Sequence, residues 1–88
     1  MHNKKVVIGL KKTRSLLDKI IQMIDGGEYC INIMQQNLAA IGLLKSAHQS
    51  LLDGHLNSCF KGAMASNNEK VKQKMIDEIL KVSKLTNK

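Results

Sequence analysis

Apolar residues recur along the chain at helical spacing. Over residues 4–25 they fall at Val6, Val7, Leu10, Leu16, Leu17, Ile20, Ile21 and Ile24, with Lys11, Lys12, Arg14 and Lys19 between them. That is the periodicity of an amphipathic helix. Gly26-Gly27 ends it, because glycine takes up the left-handed conformation of a helix C-terminus without steric cost. Residues 28–64 are predicted as one long helix. They contain no Pro, and the interior Gly42 and Gly54 each cost about 1 kcal/mol without forbidding helix. Between Cys30 and Asp53 the only charged residue is Lys45, while Ile31, Ile33, Met34, Leu38, Ile41, Leu43, Leu44, Leu51 and Leu52 point in nearly every direction. A helix apolar all round is expected to be buried all round. Ala65-Ser66-Asn67-Asn68 is the next break, with Asn67 or Asn68 as a cap. Residues 69–85 then form an amphipathic helix through Val71, Met75, Ile76, Ile79, Leu80 and Val82.

The pattern therefore predicts an all-α fold: a three-helix protomer with one long central helix, forming a single domain over residues 1–88. Two amphipathic flanking helices cover only part of the circumference of such a rod. A second copy of the rod is expected on the rest, in a closed symmetric homo-oligomer, an antiparallel dimer or a dimer of dimers. The length of 88 residues points the same way, since a small monomer buries a smaller share of its surface than a larger domain does.

Composition narrows the function classes. No apolar run approaches the roughly 20 residues of a membrane span, and the first ten residues lack a signal-peptide core, so a cytoplasmic location is expected. Two Cys in such a chain favour free thiols or metal ligands over a structural disulfide. The net charge of +7 is uneven: residues 1–30 carry six basic and three acidic side chains, residues 31–60 one of each, and residues 61–88 seven and three. The excess lies on the flanking helices, where it attracts a polyanion such as DNA. One Tyr and one Phe argue against modules that stack bases of single strands. No nucleophile–base–orienter set or phosphate-cradling glycine loop is present, and an enzyme is not expected.

The candidate chemistry is a metal site. His55 and Cys59 are four residues apart, on one face of a helix. Cys30 lies 25 residues before His55, about 37 Å along a helix axis, so it cannot join them within one protomer. Around the axis, however, the three fall within roughly 20 to 40° of one another. Two such helices packed antiparallel, crossing near residues 42–44, bring Cys30 of one chain to His55 and Cys59 of the other and create two equivalent Cys-His-Cys sites. Two thiolates and one imidazole suit Cu(I). Zn(II) normally takes a fourth ligand, from His2, His48 or water.

With these residues in place, the chain resembles the copper-sensitive operon repressor family (CsoR/RcnR) over nearly its whole length. These are small, tetrameric, all-helical metal-sensing repressors. Glu28-Tyr29-Cys30-Ile31-Asn32-Ile33 is similar to the family's R-Y-C-I-D-[IV], and Gln35-Gln36 is followed by Ala39-Ala40. Leu51-Leu52-Asp53-Gly54-His55-Leu56-Asn57-Ser58-Cys59 is similar to L-L-E-x-H-L-x-x-C. The resemblance implies a trigonal intersubunit Cu(I) site made by Cys30, His55 and Cys59, with Tyr29 supporting it. Relatives that sense sulfane sulfur lack the His, so His55 favours copper. Operator DNA is then expected on Lys4, Lys5, Lys11, Lys12 and Arg14 of the metal-free homotetramer, with Cu(I) releasing it. The family's R-x-x-G-Q motif falls on Lys12-Thr13-Arg14-Ser15-Leu16, where its basic character alone is kept. The Glu of the third helix of copper sensors falls on Met75. Two alternatives follow from the same residues: a copper-binding or buffering protein without specific DNA binding, and a thiol or persulfide sensor using the two Cys.

Overall fold

The computed structural model describes residues 4–86, and among them every long element is helical, with no strand. The elements are α1 (Lys4–Asp25), α2 (Cys30–His55), a π-helical turn (Leu56–Phe60), α3 (Lys61–Ala65) and α4 (Glu69–Thr86). His2, one of the spare zinc ligands considered above, lies outside the described residues. The chain comprises two compact units, Met1–Asp53 and Gly54–Lys88.

The first and last helices match their sequence periodicity closely; the central one differs at both ends. It begins at Cys30, because the Tyr29 carbonyl accepts from the N–H groups of Asn32 and Ile33, at 3.0 and 3.3 Å, and so closes the first turn from outside. After His55 the α-helical register gives way to the π-helical turn, in which the Lys61 N–H reaches the Leu56 carbonyl five residues back. α3 then carries the chain to Ala65. At the turn the Ser58 hydroxyl donates to the Gly54 carbonyl at 2.7 Å. A side-chain donor that competes for a backbone acceptor in this way bends or loosens a helix.

In the first unit, α1 ends in a Schellman motif. The Glu28 N–H bonds the Met23 carbonyl at 2.9 Å, the Gly27 N–H bonds the Ile24 carbonyl at 3.1 Å, and Gly27 has a φ of +73°, a conformation that costs glycine nothing. Four residues later α2 runs back beside α1, so that Val6 and Gly9 of α1 and Leu43 and Ala47 of α2 line one recess. The least exposed positions of α1 are Val6, Thr13 and Ile20, and those of α2 are Ala40 and Ala47. Each set repeats at seven residues, the signature of a coiled-coil seam. Thr13 is tolerated there because its hydroxyl donates to the Gly9 carbonyl of its own helix at 2.8 Å, leaving no polar group unpaired.

One seam is all the chain covers on α2. Ile31, Met34, Leu38, Ile41, Leu44 and Leu51 are exposed, so the expectation that the rod is buried all round is not met within a single chain. In the second unit, Ala63 is buried and α3 packs on α4. Asn68 caps α4, its side-chain oxygen accepting from the N–H groups of Lys70 and Val71 at 3.1 and 3.3 Å. The Glu69–Lys72 pair at 3.4 Å is a surface ion pair of little energetic weight.

Candidate metal centre

Cys30 is the first residue of α2 and is exposed; Cys59 lies in the π-helical turn and is half-buried; neither is in a disulfide. The start of α2 is held by Glu28, whose carboxylate accepts from the Asn32 side-chain amide at 2.9 Å and from the Tyr29 N–H at 3.3 Å. These donors, the Asn32 amide first, hold the Glu28 carboxyl below its ordinary value of 4.5. The Tyr29 side chain is 68% exposed and stands immediately before Cys30.

His55 closes α2 and is half-buried. In the turn that follows, the Ser58 hydroxyl lies 3.8 Å from the Cys59 sulfur. A π-helical turn takes more residues per revolution than an α-helix, so the angle between His55 and Cys59 departs from the ideal α-helical 40° expected from spacing. Such turns are rare and occur frequently at functional sites; here one coincides with a candidate ligand. Among the described residues, no group of three or more His, Cys, Asp or Glu side chains is gathered where one chain alone would hold a metal ion. The donor set nonetheless fits a soft cation, since thiolates and imidazole are its preferred ligands and Cys30 is accessible.

The basic residues expected to face DNA, Lys4, Lys5, Lys11, Lys12 and Arg14, are all exposed on α1. Met75 is half-buried on α4, and Asp77 and Glu78 beside it are exposed. Sequence reasoning missed three participants: the Glu28–Asn32 clamp, the Ser58 hydroxyl beside Cys59, and Ser46 and Ser50, which line the recess between α1 and α2. Each has a legible signal, because Glu28 and Asn32, Gly54 and Ser58, and Ser46 and Ser50 are all four residues apart, the spacing of helical neighbours.

An all-helical chain with two free thiols, a histidine four residues before the second of them and a basic first helix suits a metal-responsive regulator, and residues 2–84 match one such class: the chain belongs to the metal-sensitive transcriptional repressor family. The family is one of repressors, not of enzymes. Among individual proteins, the chain is 35% identical over 77 residues to the copper-sensing transcriptional repressor CsoR of Mycobacterium ulcerans (strain Agy99), covering 88% of this chain and 63% of that protein. It is 32% identical over 77 residues to CsoR of Mycobacterium tuberculosis (strain ATCC 25618 / H37Rv), covering 88% and 62%. With the copper-sensing transcriptional repressor RicR of the same strain it shares 28% over 76 residues, covering 86% and 79%. The chain thus spans less than two-thirds of the length of these CsoR proteins. Among the described residues, no helix is long and apolar enough to cross a membrane.

Proposed function

We propose that this protein is a cytoplasmic Cu(I)-responsive transcriptional repressor whose metal site is shared between two copies of the chain. Cys30 of one copy and His55 and Cys59 of the other are the ligands, with Tyr29 beside them, in an antiparallel dimer that pairs into a tetramer. The single observation that carries this reading is the exposed apolar face that runs along α2 from Cys30 through Met34, Ile41 and Leu44. These positions follow one another at three, four or seven residues, so they form one stripe on a helix. A stripe of that kind requires cover, and an antiparallel copy of the same helix supplies it together with the missing ligands. The copper-sensing relatives and the soft donor set support Cu(I) as the ion.

The metal-free protein holds operator DNA through Lys4, Lys5, Lys11, Lys12 and Arg14. Cu(I) binding favours a state with lower DNA affinity, which is coupling between two sites through a difference in binding free energy. The test is a mobility shift with the promoter upstream of the protein's own coding sequence against scrambled DNA, at about 150 mM salt, with and without Cu(I). Specific binding released by Cu(I) is the expected result. Sequence-blind, salt-sensitive binding with intact Cu(I) affinity identifies a copper-binding or buffering protein instead. Release by a persulfide donor that survives His55→Ala identifies a sulfur sensor.

A further inference from the structure

Helix α1 carries its charge against its own dipole. Among the described residues, Lys4 and Lys5 open α1 with no acidic residue in that turn, and the last turn holds no basic residue and ends on Asp25. A helix N-terminus favours anions, and cations there oppose helix stability. Local conflicts of this kind are expected at functional or strained sites.

Beside that N-terminal half, α1 and α2 border an open recess of about 190 Å³ whose wall is mostly apolar, from Val6, Ile8, Leu43 and Ala47, with Lys5 and Lys12 on the α1 side and Ser46 and Ser50 on the α2 side as its polar groups. The two lysines are seven residues apart and the two serines four, so each pair projects from one face of its helix. Lys5, Lys12, Ser46 and Ser50 make no side-chain hydrogen bond or ion pair among the described residues. Helical serines commonly spend their hydroxyl on a carbonyl of the preceding turn, as Ser58 does here; Ser46 and Ser50 make no such bond. Gly9 gives the recess its room, because a Cβ built there meets nothing within 4 Å.

We infer that this recess is a phosphate slot: it takes one phosphodiester of the DNA backbone, with the Lys5 and Lys12 ammonium groups supplying charge and the Ser46 and Ser50 hydroxyls supplying donors. The inference rests on the DNA-binding reading above and deepens it. It separates two roles within the basic face, since Lys5 and Lys12 border the slot whereas Lys4, Lys11 and Arg14 do not line it. Contacts to phosphate position a protein on DNA without reading sequence, so the slot sets register and affinity while leaving sequence preference to other residues.

The decisive variant is Gly9→Leu in the full chain. It fills the slot, changes no charge, meets no neighbour at its Cβ and replaces a poor helix former with a good one, so helicity is retained or increased. Binding of a labelled promoter duplex is measured by fluorescence anisotropy over a salt series. Lys5→Gln, Lys12→Gln and Gly9→Leu are each expected to weaken binding several-fold, equally for promoter and scrambled DNA, and to lower the slope of log K against log salt by about one. A lower salt slope from the uncharged Gly9→Leu change is the signature that a merely solvated lysine face does not give. Wild-type affinity and slope in Gly9→Leu overturn the slot and leave the DNA reading standing. Failure of the wild-type chain to bind any duplex overturns both. Amide shifts at Gly9, Ser46 and Ser50 with inorganic phosphate, abolished by Gly9→Leu while duplex affinity is unchanged, assign the slot to a free phosphate and overturn its place in DNA binding.

Discussion

The Glu28 carboxylate accepts a 2.9 Å hydrogen bond from the side-chain amide of Asn32, one turn further along the chain, and the pair brackets Tyr29 and Cys30. The bond favours the charged carboxylate, so Glu28 titrates below 4.5 in the folded protein. A carboxyl lowered on folding contributes stability above its unfolded pKa and loses it as pH falls through the folded value. The contribution of this bond is therefore fully present at neutral pH and is lost in acid, as the pH falls from 4.5 through the lowered value of the folded protein. A side-chain carboxyl NMR titration is expected to place Glu28 below 4.5, and Asn32→Ala to move it upward. An unchanged midpoint in Asn32→Ala contradicts the clamp.

The seam of α2 is built from small residues. Ala40 is 2% exposed and does not line the recess beside Ala47, so a longer side chain there crowds its neighbours. Ala40→Leu is expected to destabilise the fold by about 1–3 kcal/mol through overpacking. Denaturant unfolding checks this: a midpoint at or above that of the wild type means that Ala40 is not part of a tight seam.

Asn68 carries the start of α4 through two hydrogen bonds from its side-chain oxygen. Asn68→Ala is expected to cost about 1 kcal/mol, and Asn68→Ser or Asn68→Asp much less, because those residues keep the capping oxygen. Thermal melts of the three variants give the ranking directly.

Signals confined to neighbouring residues were legible in the sequence. Gly27 ends α1 because its positive φ suits glycine, and Asn68 caps α4 because its side chain reaches the N–H groups two and three residues on. Periodicity placed α1 and α4 closely, yet it did not identify the α1 seam. Thr13 lies in that seam through a bond to Gly9 inside its own helix, and apolar Leu10, Leu17 and Ile21 lie outside it. The π-helical turn was not legible either. It is a local change of backbone hydrogen-bond register, with the Lys61 N–H reaching the Leu56 carbonyl, and hydrophobic spacing carries no trace of this. Cys30, His55 and Cys59 are proposed as ligands on residue type and spacing. The recess beside Gly9 was missed because it is built from absent bulk on one helix and two hydroxyls on another.

Leu38 distinguishes assembly from folding. It is 67% exposed in the single chain, so a charge there costs the protomer little, but it lies among the apolar residues proposed to face a second copy. Leu38→Glu is expected to shift the protein from oligomer to monomer in sedimentation velocity while leaving its far-UV helical signal intact within the protomer. An unaltered oligomer places the interface on another face of α2.

A site shared between chains makes a prediction that no site within one chain shares. Cys30→Ala alone and the double variant His55→Ala/Cys59→Ala are each expected to lose tight Cu(I) binding. When the two are unfolded together in equal amounts and refolded, half of the dimers combine one chain of each kind. In such a dimer one site has lost every ligand, and the other retains Cys30 from the double variant with His55 and Cys59 from its partner. Random pairing in a two-fold dimer therefore restores about one-quarter of the wild-type Cu(I) capacity. A ligand set within one chain restores none, because every chain in the mixture lacks at least one ligand. Competition titration against a Cu(I) chelator, performed on the two variants separately and then on the refolded mixture, measures that fraction. Recovery well above zero in the mixture alone establishes that the ligands come from two chains, and no recovery, with refolded oligomers present, rules out the shared site.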